Sequence, residues 1–153
     1  MNYDIIVIGT GPGGYVAAIR ASQLGLKTAV VERESLGGIC LNWGCIPTKA
    51  LLKSANVFEY LNHASDYGIT VKDAKADFDA MVDRSRGVAN GMSNGIQFLM
   101  KKNKIDVHIG VGSFKDKNNI EVKSADGKVN VLTTKNTIIA TGSKPSAFPG
   151  MEV

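Results

Sequence analysis

The feature that most constrains the fold is a run of six residues near the start, Gly9-Thr10-Gly11-Pro12-Gly13-Gly14, set between two stretches of opposite character. Before it, Tyr3 to Ile8 is apolar and β-branched apart from Asp4, the pattern of a parallel strand covered on both faces. After it, Tyr15 to Leu24 is alanine-rich, carries Val16, Ile19 and Leu24 at helical spacing, and stops at Gly25, where a helix end favours glycine. A second strand, Thr28 to Val31, terminates in Glu32, 21 positions beyond Gly11. Strand, glycine loop, helix and acid-tipped strand in that order point to an α/β fold built on a parallel sheet.

A Gly-x-Gly-x-x-Gly spacing is weak by itself, because glycine-rich turns are common. Here Gly9, Gly11 and Gly14 fall between a strand and a helix, and the acid arrives about 20 residues later at the end of the next strand, which is the context of a dinucleotide site. Gly9 permits the tight turn, Gly11 lets the backbone approach a pyrophosphate, and Gly14 allows close helix packing. The helix start offers unpaired N–H groups and positive potential to the same pyrophosphate. Glu32 is placed to accept hydrogen bonds from a ribose. The alternative is a glycine-rich turn without a ligand, and the spacing does not say which dinucleotide is meant.

Both cysteines of the chain, Cys40 and Cys45, lie in Gly37-Gly38-Ile39-Cys40-Leu41-Asn42-Trp43-Gly44-Cys45-Ile46-Pro47-Thr48-Lys49. Five residues of ideal helix rise about 7.5 Å, whereas a disulfide needs Cα atoms closer than roughly 7 Å. The pair can bond only where the backbone leaves the helix, around Asn42 and Gly44. Pro47 suits a first helical turn, so Cys45 is expected beside a helix N-terminus, a position that favours thiolate over thiol. A structural disulfide and two unrelated buried thiols are the alternatives. A redox pair eight positions past Glu32 argues for flavin, since a dithiol exchanging electrons needs a redox ring close by.

Beyond Lys49 a helix is predicted to about Leu61, and Tyr67-Gly68-Ile69 reads as a turn into a short strand. From Asp77 to Lys104 the apolar positions form one helical stripe, with Gly87, Gly91 and Gly95 at i, i+4 and i+8. That glycine row predicts close contact with another helix or backbone. Ile105 to Ile109 reads as a third buried strand. A β-meander over about 111–135 follows, with Asp126-Gly127 as a turn, and then a further buried strand, Thr137 to Ala140, that ends at Thr141-Gly142-Ser143. Lys144-Pro145 and Pro149-Gly150 read as an exit linker.

The 153 residues suit one domain, and 44% hydrophobic with 21% charged residues is ordinary for a globular chain. No apolar run reaches the roughly 18 residues of a membrane span. The net charge of +4 comes from scattered lysines, not from a basic stripe interleaved with aromatics, which argues against nucleic-acid binding. No metal-ligand spacing appears, so no metal is expected. The start of the chain has no leader pattern, and a cytoplasmic location is expected, where a cysteine pair is more plausibly catalytic than structural.

Taken together, Gly9-x-Gly11-x-x-Gly14, Glu32, the Gly37 to Lys49 motif and Ala140-Thr141-Gly142 resemble the N-terminal part of the pyridine nucleotide-disulfide oxidoreductase family, flavoproteins with a redox-active disulfide, over essentially the whole chain. Leu41-Asn42 and Ile46-Pro47-Thr48-Lys49 are closer to the dihydrolipoamide dehydrogenase branch than to glutathione or mercuric reductases. Ile39 stands where many relatives carry threonine. The resemblance implies a Rossmann-like FAD-binding domain over 1–146, incomplete in itself, with 147–153 starting a linker to an NAD-binding domain. It implies Cys40 as the interchange thiol and Cys45 as the thiol against the flavin, giving the charge-transfer state, with Lys49 tuning the flavin. The FAD-contacting set it implies is Gly9, Gly11, Pro12, Gly13 and Gly14 on the pyrophosphate, Glu32 on the ribose with Arg33 next to it in sequence, Gly37, Gly38 and Ile39 leading into the thiols, and Gly112, Ala140, Thr141, Gly142 and Ser143 closing around the cofactor. NAD⁺ as final acceptor, the lipoyl group of a 2-oxoacid dehydrogenase complex or of the glycine cleavage system as partner, and a homodimer are implied likewise. Relatives take their catalytic His-Glu base from a later dimerisation domain, and neither His63 nor His108 matches it, so the 153 residues alone are expected to be without turnover. A different disulfide reductase of the family, and a non-catalytic Rossmann-like interaction module, are the competing readings.

Overall fold

The computed structural model describes residues 2–144 together with Ser146, Phe148 and Gly150. Much of the expected linker, at positions 147, 149 and 151–153, lies outside the described residues, as does Pro145. The first strand, β1 (Asn2–Ile8), runs into helix α1 (Pro12–Gln23) and returns as β2 (Thr28–Glu32). All five residues of β2 are buried, as an apolar strand in the middle of a parallel sheet requires. Two helices follow, α2 (Gly38–Asn42) and α3 (Cys45–Asn62), then a 3₁₀ turn (Ala64–Tyr67) and the long α4 (Phe78–Lys102). The chain then adds β3 (Asp106–Ile109), β4 (Val111–Phe114), β5 (Asn119–Lys123) and β6 (Val129–Ile139).

The six strands form one sheet in the order β3-β2-β1-β6-β5-β4. Pairing is parallel from β3 to β6 and antiparallel through β6-β5-β4. The product is an α/β fold: a Rossmann-like parallel sheet with flanking helices and an inserted antiparallel meander. Alternation along the strands separates two cores. Ile6, Ile8, Ala29 and Val31 face Ile120, Val122 and Leu132 of the meander. Val7 and Val30 face Ala18, Leu36, Leu41, Ile96, Met100 and Ile105 on the helix side. Ile6, Val7 and Val30 are wholly buried, each contributing about 1.5–3 kcal/mol of apolar burial. The layers are therefore helices, parallel sheet and meander, with β1 and β2 in the middle.

Five expectations change against this structure. The helix after the glycine loop begins at Pro12, not Tyr15, because Pro fits a first turn whose N–H is unpaired in any case. No strand follows Gly68; residues 69–77 are irregular, and Ile69 is 58% exposed with no neighbouring strand to pair it. β3 forms, but as a sheet edge: Val107 and Ile109 are exposed, since among the described residues β2 is its only strand partner. The last two predicted strands are one, β6, whose start pairs with β5 and whose remainder pairs with β1. Its polar interruption is absorbed at the surface, where Lys135 Nζ donates to Asp4 Oδ1 at 2.7 Å and Asn136 Nδ2 to the Asp4 carbonyl at 3.2 Å. The glycine row of α4 makes no close contact. Cβ atoms built on Gly87, Gly91 and Gly95 meet nothing within 4 Å, and the buried face is Ser85, Ala89, Ile96 and Met100.

Among the described residues no helix is long and apolar enough to cross a membrane. The lysine group at 101, 102 and 104 follows from helix electrostatics, since Lys101 and Lys102 occupy the last turn of α4 and offset its negative end. Lys115, Lys128 and Lys135 pair with Glu121, Asp126 and Asp4 at the surface.

Candidate functional site

The site lies at the carboxyl ends of β1, β2 and β6, where open α/β sheets take their ligands. Gly9 turns the chain off β1 at φ +96°, and a Cβ there would stand 2.3 Å from the Ala140 carbonyl oxygen at the end of β6. A Cβ on Gly14 would meet the Gly9 carbonyl oxygen at 2.0 Å, so α1 starts against the strand end only because residue 14 has no side chain. Gly11 and Gly13 face open space, with nothing within 4 Å of an added Cβ. Gly11 caps α1 without any side-chain hydrogen bond; its carbonyl accepts from Gly14 and Tyr15 N–H at 2.9 and 3.0 Å, and since Pro12 has no N–H, the Gly13 N–H is the first-turn donor left to an outside acceptor. This cradle fits a diphosphate.

Glu32 is 7% exposed at the tip of β2, and its carboxylate is held on both oxygens. Thr10 N–H and Thr10 Oγ1 donate to Oε2 at 2.9 and 2.5 Å, and Glu34 N–H donates to Oε1 at 3.0 Å. Gly110 N–H donates to the Glu32 carbonyl at 2.8 Å, which fixes the start of the meander at the same place. Gly112 then packs on the ends of β1 and β2, where an added Cβ would touch Val31 Cγ1 at 3.1 Å and Ile8 Cγ2 at 3.4 Å.

The thiol segment begins on the glycine loop. Gly37 N–H donates to the Thr10 carbonyl at 3.0 Å, and a Cβ on Gly38 would stand 2.8 Å from Gly11 Cα. Cys40 rides on α2 and Cys45 opens α3, and the helix breaks between them as the sequence spacing requires. At the break Trp43 and Gly44 both donate to the Ile39 carbonyl, at 2.9 and 2.7 Å. Both cysteines are free thiols, Cys40 half-buried and Cys45 exposed. Hydrogen bonding to the Cys45 side chain pushes the Cys40 thiol up, helped by burial and by charge on Cys45; the Cys45 N–H and the nearby Lys49 pull the other way. Lys49 lies one turn along α3 from Cys45, on the same side of that helix.

Of the predicted residues, Gly9, Gly11, Gly14, Glu32, Gly37, Gly38, Gly112 and Ala140 are joined by direct contacts within this site. Pro12 and Gly13 are the exposed first residues of α1, and Arg33 and Ile39 are exposed beside it. Thr141, Gly142 and Ser143 continue in exposed, irregular backbone from Ala140. His63 pairs with Glu59 on the surface at 3.1 Å, and His108 sits on β3, 3.0 Å from Tyr3 Oη. Four residues outside the predicted set of site residues hold the site in shape. Thr10 anchors Glu32, and Asn42 Nδ2 donates to the Leu36 and Gly38 carbonyls at 3.1 and 2.9 Å. Ser93 Oγ donates to the same Leu36 carbonyl at 2.8 Å, and Arg86 to the Asn42 carbonyl at 3.1 Å. A hydroxyl inside the glycine loop was a readable signal for Thr10. Ser93 and Arg86 reach across from α4 and leave no local trace.

Comparison with known proteins agrees with this geometry. The sequence matches the family described as pyridine nucleotide-disulphide oxidoreductase over residues 3–153. It is 51% identical to a dihydrolipoyl dehydrogenase of Rhizobium etli, over 99% of this chain and 34% of that protein. It is 48% identical to one from Zymomonas mobilis, over 98% of this chain and 32% of the relative, and 46% identical to one from Bacillus subtilis, over 99% and 34%. The chain thus spans about a third of the length of these curated relatives. With a match that runs through the glycine cradle, the acid of β2 and both thiols, the chain belongs to the pyridine nucleotide-disulphide oxidoreductase family.

Proposed function

We propose that these residues are the FAD-binding, redox-thiol portion of a dihydrolipoamide dehydrogenase, oxidising dihydrolipoamide to lipoamide with electrons passing by way of Cys40, Cys45 and FAD to NAD⁺. One observation carries the reading: the helix that bears Cys40 starts on the glycine loop itself, with Gly38 against Gly11, so a thiol pair and a diphosphate cradle share one site. The names of the relatives support the choice of branch. Residues 1–146 are the N-terminal part of the FAD-binding domain, with the meander over about 111–135, and 147–153 begin the linker to the NAD-binding domain.

FAD, when bound, supplies a ring that accepts an electron pair. The chain's own residues do the rest. The loop from Gly9 to Gly14 holds the diphosphate and Glu32 takes the ribose hydroxyls, with Arg33, Gly112 and the Ala140 to Ser143 segment flanking the cofactor. In the oxidised pair a dihydrolipoyl thiolate attacks Cys40 and Cys45 leaves as thiolate. The second substrate thiol then closes the lipoyl disulfide and releases Cys40, so two electrons stay on the cysteines and two protons are given up. Lys49 keeps positive charge beside the pair.

The partner is the lipoyl group of a 2-oxoacid dehydrogenase complex or of the glycine cleavage system. The full-length protein acts as a homodimer in the cytoplasm, and residues 1–153 alone do not turn over. The test is the full-length protein: it should be yellow and reduce NAD⁺ with dihydrolipoamide, and Cys45→Ser should keep the flavin and lose that reduction. A colourless protein that takes up no FAD overturns the reading, and faster turnover with glutathione disulfide or Hg(II) overturns the choice of substrate.

A further inference from the structure

Thr10 stands at a junction that the cofactor motif does not explain. The motif needs glycine at 9, 11 and 14 and leaves position 10 open. Here the position carries a hydroxyl with no solvent exposure, and the residue uses all of its polar groups within the site. Its N–H and Oγ1 both go to Glu32 Oε2, and its carbonyl accepts from Gly37 N–H, where the thiol segment begins. Two donors from one residue occupy Oε2, while among the described residues Oε1 accepts the Glu34 N–H alone, which leaves one of its two lone pairs uncommitted.

We propose that Thr10 is a positioning residue for cofactor binding: its hydroxyl locks the Glu32 carboxylate in one rotamer and leaves Oε1 as the oxygen offered to a ribose hydroxyl. This rests on the FAD reading above. A carboxylate free to rotate loses side-chain freedom when it grips a diol; one already fixed by buried, charge-assisted hydrogen bonds has lost it on folding. The Thr10 side chain touches no ligand atom in this scheme. It acts only through Glu32, so its effect exists only for a ligand that has the hydroxyl.

The experiment measures dissociation constants of the full-length apoprotein, by flavin fluorescence, for FAD and for an FAD analogue whose adenosine is 2′-deoxy. Thr10→Val keeps the shape and the N–H but removes the hydroxyl; Thr10→Ser keeps the hydroxyl. The expected result is about tenfold weaker FAD binding for Thr10→Val, as loss of one charge-assisted hydrogen bond predicts, with Thr10→Ser within about twofold of the parent. The deoxy analogue should bind the parent and Thr10→Val alike. Equal weakening of FAD and the analogue, or Thr10→Val binding FAD as the parent does, overturns the inference. A parent that binds the analogue as tightly as FAD overturns it too, while leaving the FAD reading intact. A parent that binds neither overturns both.

Discussion

At the scale of single residues, chemistry in this chain is set by pairs. Hydrogen bonding to the Cys45 side chain, then burial and charge on Cys45, push the Cys40 thiol up from its ordinary range. Replacing Cys45 by alanine removes both the hydrogen-bond acceptor and the neighbouring charge while Lys49 remains. The alkylation midpoint of Cys40 in the reduced protein should therefore shift to lower pH in Cys45→Ala, read by iodoacetamide labelling across pH; an unchanged or higher midpoint contradicts the pairing. A second pair sits far along the sheet, where Tyr3 Oη donates to Asp106 Oδ2 at 2.9 Å. Burial first, then the bond to Asp106 and its charge, push the phenol up to about 12. The neutral phenol is thus favoured by folding, while the unfolded chain ionises near pH 10. The stabilisation is complete below pH 10 and is lost as pH rises towards 12, on the order of 2–3 kcal/mol in all. The stability advantage of the parent over Tyr3→Phe, from urea unfolding, should shrink between pH 10 and 11.5 and stay level between 7 and 9. Little of this was legible in sequence: Tyr3 and Asp106 are 103 positions apart, and no local pattern records such a bond.

At the scale of elements, what could be read was what is locally encoded. The Cys40–Cys45 spacing together with Pro47 announced a broken helix, and the break falls at Trp43 and Gly44. The glycine loop announced β1, α1 and β2, because the close approach of Gly14 to the Gly9 carbonyl is made within the loop itself. What failed was inference from residue type to neighbours. Val107 and Ile109 read as buried because β-branched runs usually are, yet β3 is an edge. Gly87, Gly91 and Gly95 read as a contact face, yet α4 packs through Ser85 and Ala89, which at about 100° per residue lie on roughly the opposite side of the helix. Asp77 caps α4 by accepting from Ala80 N–H at 3.0 Å, and two lysines close it, so 25 residues hold as helix despite the glycines. Those three positions are consequently weak points with room to spare. Each glycine-to-alanine change should stabilise by up to ~1 kcal/mol through backbone entropy, since the added methyl meets nothing. Thermal melts of Gly87→Ala, Gly91→Ala and the double variant should show additive rises; a fall at either site means that another part of the full-length protein lies on this face.

At the scale of the whole molecule, the three layers close over β1 and β2 but not along β6. Its first five residues are paired with β5 on one side, and from Thr133 to Ile139 it pairs with β1 on the other. Past Thr134, no strand among the described residues takes its second edge, and Ile139 there is 67% exposed. A bare parallel edge with an exposed isoleucine is a template for another strand. Helix α3 adds apolar surface of its own, with Leu52 and Tyr60 more than half exposed. Folding of residues 1–153 by themselves would satisfy both cores and leave this border unsatisfied, so the consequence is association rather than unfolding. Expressed alone, these residues should self-associate at concentrations on the order of 100 μM. Ile139→Lys should reduce that association, because a charge on an edge opposes strand addition. Sedimentation velocity over a dilution series decides it: a parent that stays monomeric, or a variant that associates as strongly, means that the border of β6 is not what brings the chains together.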